Sequence, residues 1–142
     1  MAIPLADFVA YVTEHPLGVV ATHDEVRGPE AALVTFAPLP DGDLLFDTQA
    51  ASRKAHNIAA DQRVALVIGT TEESSIQVEG RASLPRDADE QRTWARAYEQ
   101  RFPDSQSADS AFTMVRIHPR WLRHYIVGGC LHEGDVTWGE AT

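Results

Sequence analysis

The sequence predicts a mainly β, α+β domain, an antiparallel barrel with helices at its periphery. Three observations predict it. Short apolar and β-branched runs recur along the chain, separated by Gly, Pro and Asp at turn positions. One run, residues 75–84, alternates strictly. Ile76, Val78, Gly80, Ala82 and Leu84 point one way, and Ser75, Gln77, Glu79, Arg81 and Ser83 the other. Only three segments carry helical spacing, and no repeat or linker divides the 142 residues, so a single domain over 1–142 is expected.

Taken in order, Leu5, Phe8, Val9 and Val12 recur at helical spacing between Pro4, suited to a first turn, and Pro16, which forbids continuation; this predicts a helix over 4–14. Residues 17–22 form an apolar strand, 23–29 a polar turn, and 30–37 a second strand. The Pro, Asp and Gly of 38–43 predict a hairpin returning through 44–48. Ala55, Ile58 and Ala59 give 52–60 an apolar helical face. The unbroken apolar run 64–68 suits a strand buried on both faces. Acidic residues at 87–90 lead into a helix over 88–101 with Trp94, Ala97 and Tyr98 on its apolar side. The polar stretch 103–110 reads as a mobile surface loop. Residues 112–118 and 121–127 read as two strands around Pro119, Gly128-Gly129 as a break, and 135–139 as a last short strand.

Charge narrows the function classes. Twelve basic against 21 acidic residues give a net charge of −9, and an acidic surface repels phosphodiester backbones and anionic lipids, so neither nucleic acid nor membrane is an expected partner. No run approaches the ~18 apolar residues of a membrane span, and the first residues carry no basic leader, so a cytoplasmic location is the default expectation. A lone cysteine, Cys130, excludes an internal disulfide and more commonly is an inert thiol. The six histidines include no i, i+4 pair, so no metal site is expected.

The most informative stretch is Phe46-Asp-Thr-Gln-Ala-Ala-Ser-Arg-Lys54. A strand ends in Thr48, and a helix begins with Ser52 at its N-cap. A helix N-terminus offers unpaired N–H groups and partial positive charge to an anion. Arg53 and Lys54 in the first turn oppose the helix dipole by roughly 0.3–1 kcal/mol each, which is reasonable where an anion neutralises them. Arg presents a fork, Lys a point charge, and the Thr48 and Ser52 hydroxyls complete a phosphate shell. On spacing alone, a capped surface helix with two solvated cations fits as well.

A resemblance adds to this. Glu14-His-Pro-Leu-Gly-Val-Val-Ala-Thr22, Pro29-Glu-Ala-Ala-Leu-Val-Thr-Phe36, Leu45-Phe-Asp-Thr48, Ser52-Arg-Lys54, Arg63-Val-Ala-Leu-Val-Ile-Gly69 and Ile76-Gln-Val-Glu-Gly80 occur in this order and spacing. The chain resembles the pyridoxamine 5′-phosphate oxidase-related family of FMN-binding split β-barrels, well over residues 8–84 and weakly through 112–123. The resemblance implies FMN as cofactor. Asp47, Thr48, Ser52, Arg53 and Lys54 would lie at its phosphate, and Val34, Thr35 and Phe36 along its isoalloxazine ring, with their backbone bonded to the ring edge. Gln77 would approach from a partner subunit. It further implies a homodimer with flavin sites at the interface, and an oxidoreductase acting on a small-molecule substrate or electron donor. Trp121, Arg123 and Tyr125 share one strand face, which either packs in the barrel or flanks the ring.

The chain departs from the true oxidases. Ala32 and Ala37 stand where those enzymes carry Arg and Lys beside the ring, their C-terminal Arg-x-His motif has no counterpart, and Tyr98, Arg101 and Ser105 only loosely echo their substrate-phosphate residues. A flavoprotein other than the vitamin B6 oxidase is the expectation. The alternatives are a flavin-binding module without turnover and a haem- or F420-binding split barrel.

Overall fold

A computed structural model describes residues 2–107 and 109–139. The elements run α1 (Leu5–Glu14), β1 (Leu17–Asp24), β2 (Gly28–Thr35), β3 (Ala37–Pro38), β4 (Leu44–Gln49), α2 (Arg53–Ala60), β5 (Arg63–Ile68), β6 (Ser74–Ser83), α3 (Ala88–Arg101), β7 (Phe112–Ile126) and β8 (Gly129–Asp135). The strands make one antiparallel sheet in the order β2-β1-β5-β6-β7-β4-β3, with β8 also on β7. It curls into a half-barrel, the split β-barrel arrangement that the sequence predicts. Among the described residues no helix is long and apolar enough to cross a membrane.

Period-2 alternation builds the interior. Val20, Leu66, Ile76, Val78, Phe46 and Leu122 turn inward and meet Phe8 and Val12 of α1 and Ile58 of α2. A second cluster on the opposite side of β4 and β7 joins Leu45, Met114 and Ala37 to Trp94, Ala95 and Tyr98 of α3. Each helix begins as its sequence requires. Pro4 precedes α1, Ser52 caps α2, and the Asp87 carboxylate accepts from the Glu90 N–H at 2.8 Å. Gly18 lets β1 approach β5, since a Cβ there would lie 2.4 Å from the Val67 carbonyl oxygen.

Several sequence expectations change, among them the second strand, which spans Gly28–Thr35 rather than 30–37, with Ala37 in β3. The run 64–68 is buried on one face only: Val64, Leu66 and Ile68 face inward, while Arg63, Ala65 and Val67 are exposed. Residues 112–127 form not two strands but one, β7, which continues through Pro119. The missing proline N–H is tolerated there because Pro119 lies opposite a register shift at Glu79/Gly80, where the other edge of β7 passes from β4 to β8. Val127 and Gly128 make a two-residue turn rather than a break, with φ of 101° at Gly128, so the last strand is Gly129–Asp135 and not 135–139. Trp138 instead packs the segment after β8 onto α1 and its lead-in: its Nε1 donates to the Ile3 carbonyl at 2.9 Å, and its ring lies 4.9 Å from that of Phe8. Within the 103–110 loop, Ser107 is buried and its Oγ donates to Glu99 Oε1 at 3.0 Å, tying the loop to α3.

Candidate functional site

The site is built at the junction of β4 and α2. Alternation along β4 turns Thr48 inward beside Phe46 and Asp47 to the opposite side. A short turn follows, fixed by Ala50 N–H to the Ala111 carbonyl at 2.8 Å and Ser52 N–H to the Gln49 carbonyl at 3.0 Å. The Ser52 Oγ then accepts from the Ala55 N–H at 3.2 Å as the helix cap and lies 3.1 Å from the Thr48 Oγ1. Both hydroxyls therefore sit at the N-terminus of α2. The first turns of α1 and α3 hold Asp7 and Asp89 with Glu90, as the helix dipole favours; that of α2 holds no acid, only Arg53 and Lys54. Lys54 is partly exposed and has no partner among the described residues.

Behind this turn lies a polar network that sequence reasoning missed. The Arg53 Nε is 3.1 Å from Glu30 Oε2. The buried Asn57, one helical turn beyond Arg53, donates from Nδ2 to Thr22 Oγ1 at 3.0 Å and to the same Glu30 oxygen at 3.4 Å. The available signal was the alternation of β2: Glu30 shares the inward parity of Ala32 and Val34, an unusual place for a carboxylate without a partner.

The other predicted residues separate into two groups. Val34 packs against the core, and Phe36 is buried edge-on to Phe46 with ring centroids 5.9 Å apart. The Phe36 N–H donates to the Pro16 carbonyl at 2.8 Å, and the Thr35 carbonyl accepts from the Tyr98 hydroxyl at 3.0 Å. These two backbone groups thus already have internal partners, but β2 is an edge strand with one strand neighbour. Asp47 faces α3 near Tyr98, away from the Thr48–Ser52 pair. Burial raises its carboxyl above the ordinary range; burial and then the Asp47 charge raise the Tyr98 hydroxyl.

Gln77, Trp121, Arg123 and Tyr125 lie together on the outer face of the sheet. Register pairs Gln77 with Arg123, Glu79 with Trp121 and Ser75 with Tyr125. Arg123 also lies 3.7 Å from Glu133 on β8. The row continues across β5 and β1 as an apolar surface, with Val67 beside Val19 and Val19 beside Leu33. Leu33 is 61% exposed and Val67 41%. Within one chain this face does not join the α2 turn. Among the described residues no group of three or more His, Cys, Asp or Glu side chains is placed to hold a metal ion.

Chemically, the α2 turn suits a phosphate monoester. Two hydroxyls, helix N–H groups and the first-turn cations Arg53 and Lys54 belong to it; among the described residues Glu30 is ion-paired with Arg53, and Asp24 also feels the Arg53 charge.

The family profile of pyridoxamine 5′-phosphate oxidase matches residues 5–125. No curated protein matches the sequence. Among solved structures, the general stress protein 26 of Bacillus anthracis is 21% identical with a TM-score of 0.67, over 92% of this chain and 99% of that one. A conserved hypothetical protein of Mycobacterium tuberculosis is 22% identical with a TM-score of 0.72, over 89% and 86%. A nimC/nimA family protein of Clostridium acetobutylicum is 10% identical with a TM-score of 0.70, over 95% of each chain. Likeness at these identities shows the shared fold.

Proposed function

The chain belongs to the pyridoxamine 5′-phosphate oxidase family, whose members often bind flavin, and from that premise we propose that it is an FMN-binding flavoprotein and an oxidoreductase. The observation that carries this reading is the Thr48–Ser52 hydroxyl pair at the mouth of a helix whose first turn is doubly basic and free of acid. Thr48, Ser52, Arg53 and Lys54 hold the phosphate, and the edge strand β2 around Val34–Thr35–Phe36 runs beside the ring. Bound FMN supplies two-electron hydride chemistry; the chain supplies position, shielding from water and charge.

One chain offers only one wall. The outer face that begins at Leu33, Val19 and Val67 and continues to Gln77, Trp121, Arg123 and Tyr125 supports a homodimer, in which the polar and aromatic part closes the flavin site of the other copy. Pyridoxamine 5′-phosphate is not the substrate in this reading. Ala37 is buried against the Trp94–Tyr98 cluster, and neither it nor Ala32 can offer the charge that the oxidases place beside the ring.

The test is the double substitution Arg53→Ala with Lys54→Ala. Losing two charge-assisted contacts removes about 3–6 kcal/mol of binding at about 1.5–3 kcal/mol each. A folded double variant with unchanged FMN affinity in equilibrium titration overturns the assignment.

A further inference from the structure

The Thr22–Asn57–Glu30–Arg53 network places a carboxylate against a cation of the anion turn, a position where a carboxylate alone would repel a phosphate. Its geometry suggests why it is there. Arg53 is a long side chain on an exposed first turn, about half exposed, whereas Glu30 is 19% exposed. Glu30 is itself fixed, because Asn57 holds the same oxygen that Arg53 meets, and Asn57 is fixed by Thr22 on β1; both residues are buried. The contact to Arg53 is made through Nε. An ion pair on the Nε side of the guanidinium leaves its terminal N–H groups for another acceptor. The chain of contacts therefore runs from the sheet to the Nε side of Arg53 and leaves the pair of terminal nitrogens as a fork for phosphate.

Resting on the phosphate reading above, we propose that Glu30 is a positioning residue for Arg53: it pre-orders the guanidinium for the phosphate group, at the cost of some electrostatic attraction. Two effects of opposite sign follow for Glu30→Ala. Releasing Arg53 returns the ordering of one long side chain to the binding step, a loss of about three- to tenfold in affinity. Removing a negative charge favours the phosphate, but salt screens that gain strongly, since the Debye length falls to ~3 Å at 1 M. The ordering effect persists at high salt.

The experiment is a double-mutant cycle between Glu30→Ala and Arg53→Ala, read by FMN dissociation constants at low salt and at 1 M KCl. It is accompanied by 15N NMR relaxation of the Arg53 Nε in the flavin-free protein, which reports side-chain mobility. Glu30→Ala is expected to weaken binding about three- to tenfold at 1 M salt and less at low salt. In the Arg53→Ala background it produces no weakening. The Arg53 Nε is motionally restricted in the wild type and mobile in Glu30→Ala and in Glu30→Gln, which both lack the charge of the ion pair. If Glu30→Ala leaves affinity unchanged or tighter at 1 M salt, or if the Arg53 Nε is equally mobile in both proteins, the positioning role is overturned. A wild type that binds no FMN overturns the phosphate reading instead, and the NMR comparison still decides whether Glu30 holds Arg53.

Discussion

Acidification should destabilise this protein through one buried imidazole, that of His124. Register on β7 places His124 between Ile76 of β6 and His132 of β8. Its ring stacks on His132 with centroids 6.5 Å apart and meets Tyr11 of α1 edge-on at 5.2 Å. Its Nδ1 is buried and has no hydrogen-bond partner among the described residues. Burial, and then the charge of His132, depress its pKa below the ordinary 6.5. The unfolded chain therefore takes up this proton near pH 6.5, while the folded chain does so only at lower pH. Stability is full above about pH 6.5 and falls as the pH drops from there to the depressed folded value, by up to about 1.4 kcal/mol per pH unit for one proton. Asp47, raised by burial, works in the opposite sense at lower pH, so the informative quantity is the difference between wild type and His124→Phe. Urea midpoints at pH 7.5, 6.0 and 5.0 measure it. The variant should lose the pH 6.5–5 slope; an identical slope in both proteins would refute the argument.

Three further outcomes follow from the site and its surroundings. Tyr98→Phe leaves the Thr35 carbonyl without its side-chain donor and should cost about 1–3 kcal/mol in urea unfolding; no loss would mean that the hydroxyl bond is not maintained in solution. Leu33→Glu with Val67→Glu puts charge into the exposed apolar row and should convert a dimer into a monomer by sedimentation equilibrium, with loss of FMN affinity, whereas a wild-type monomer that binds FMN tightly contradicts the shared site. Purified FMN-loaded protein should not convert pyridoxamine 5′-phosphate efficiently in the presence of oxygen, and rapid formation of pyridoxal 5′-phosphate would contradict the reading of Ala32 and Ala37.

Local chemistry was the most legible part of the chain. The strict alternation of β6, the turn within 38–43 and the Ser52 cap each rest on neighbours in sequence, and each appears in the fold where the pattern puts it. What sequence alone hid depends on partners far along the chain. Pro119 looked like an interruption because nothing local reveals that β7 exchanges β4 for β8 there. The run 64–68 looked doubly buried because its outer side chains are apolar, yet they face outward in a single chain. The Thr48–Ser52 pair was visible as spacing, but the Glu30–Arg53 contact joins residues on different elements, and only the inward parity of Glu30 hinted at it.

The phosphate is the feature on which the functional account turns, and parallel titration of flavin-free protein with FMN and with riboflavin isolates it, because the two ligands share the ring and ribityl chain. With Thr48, Ser52, Arg53 and Lys54 as the phosphate site, FMN should bind and riboflavin should bind weaker by about 100-fold or more, the value of two charge-assisted contacts. Equal affinity for the two, or no binding of FMN at all, would contradict it.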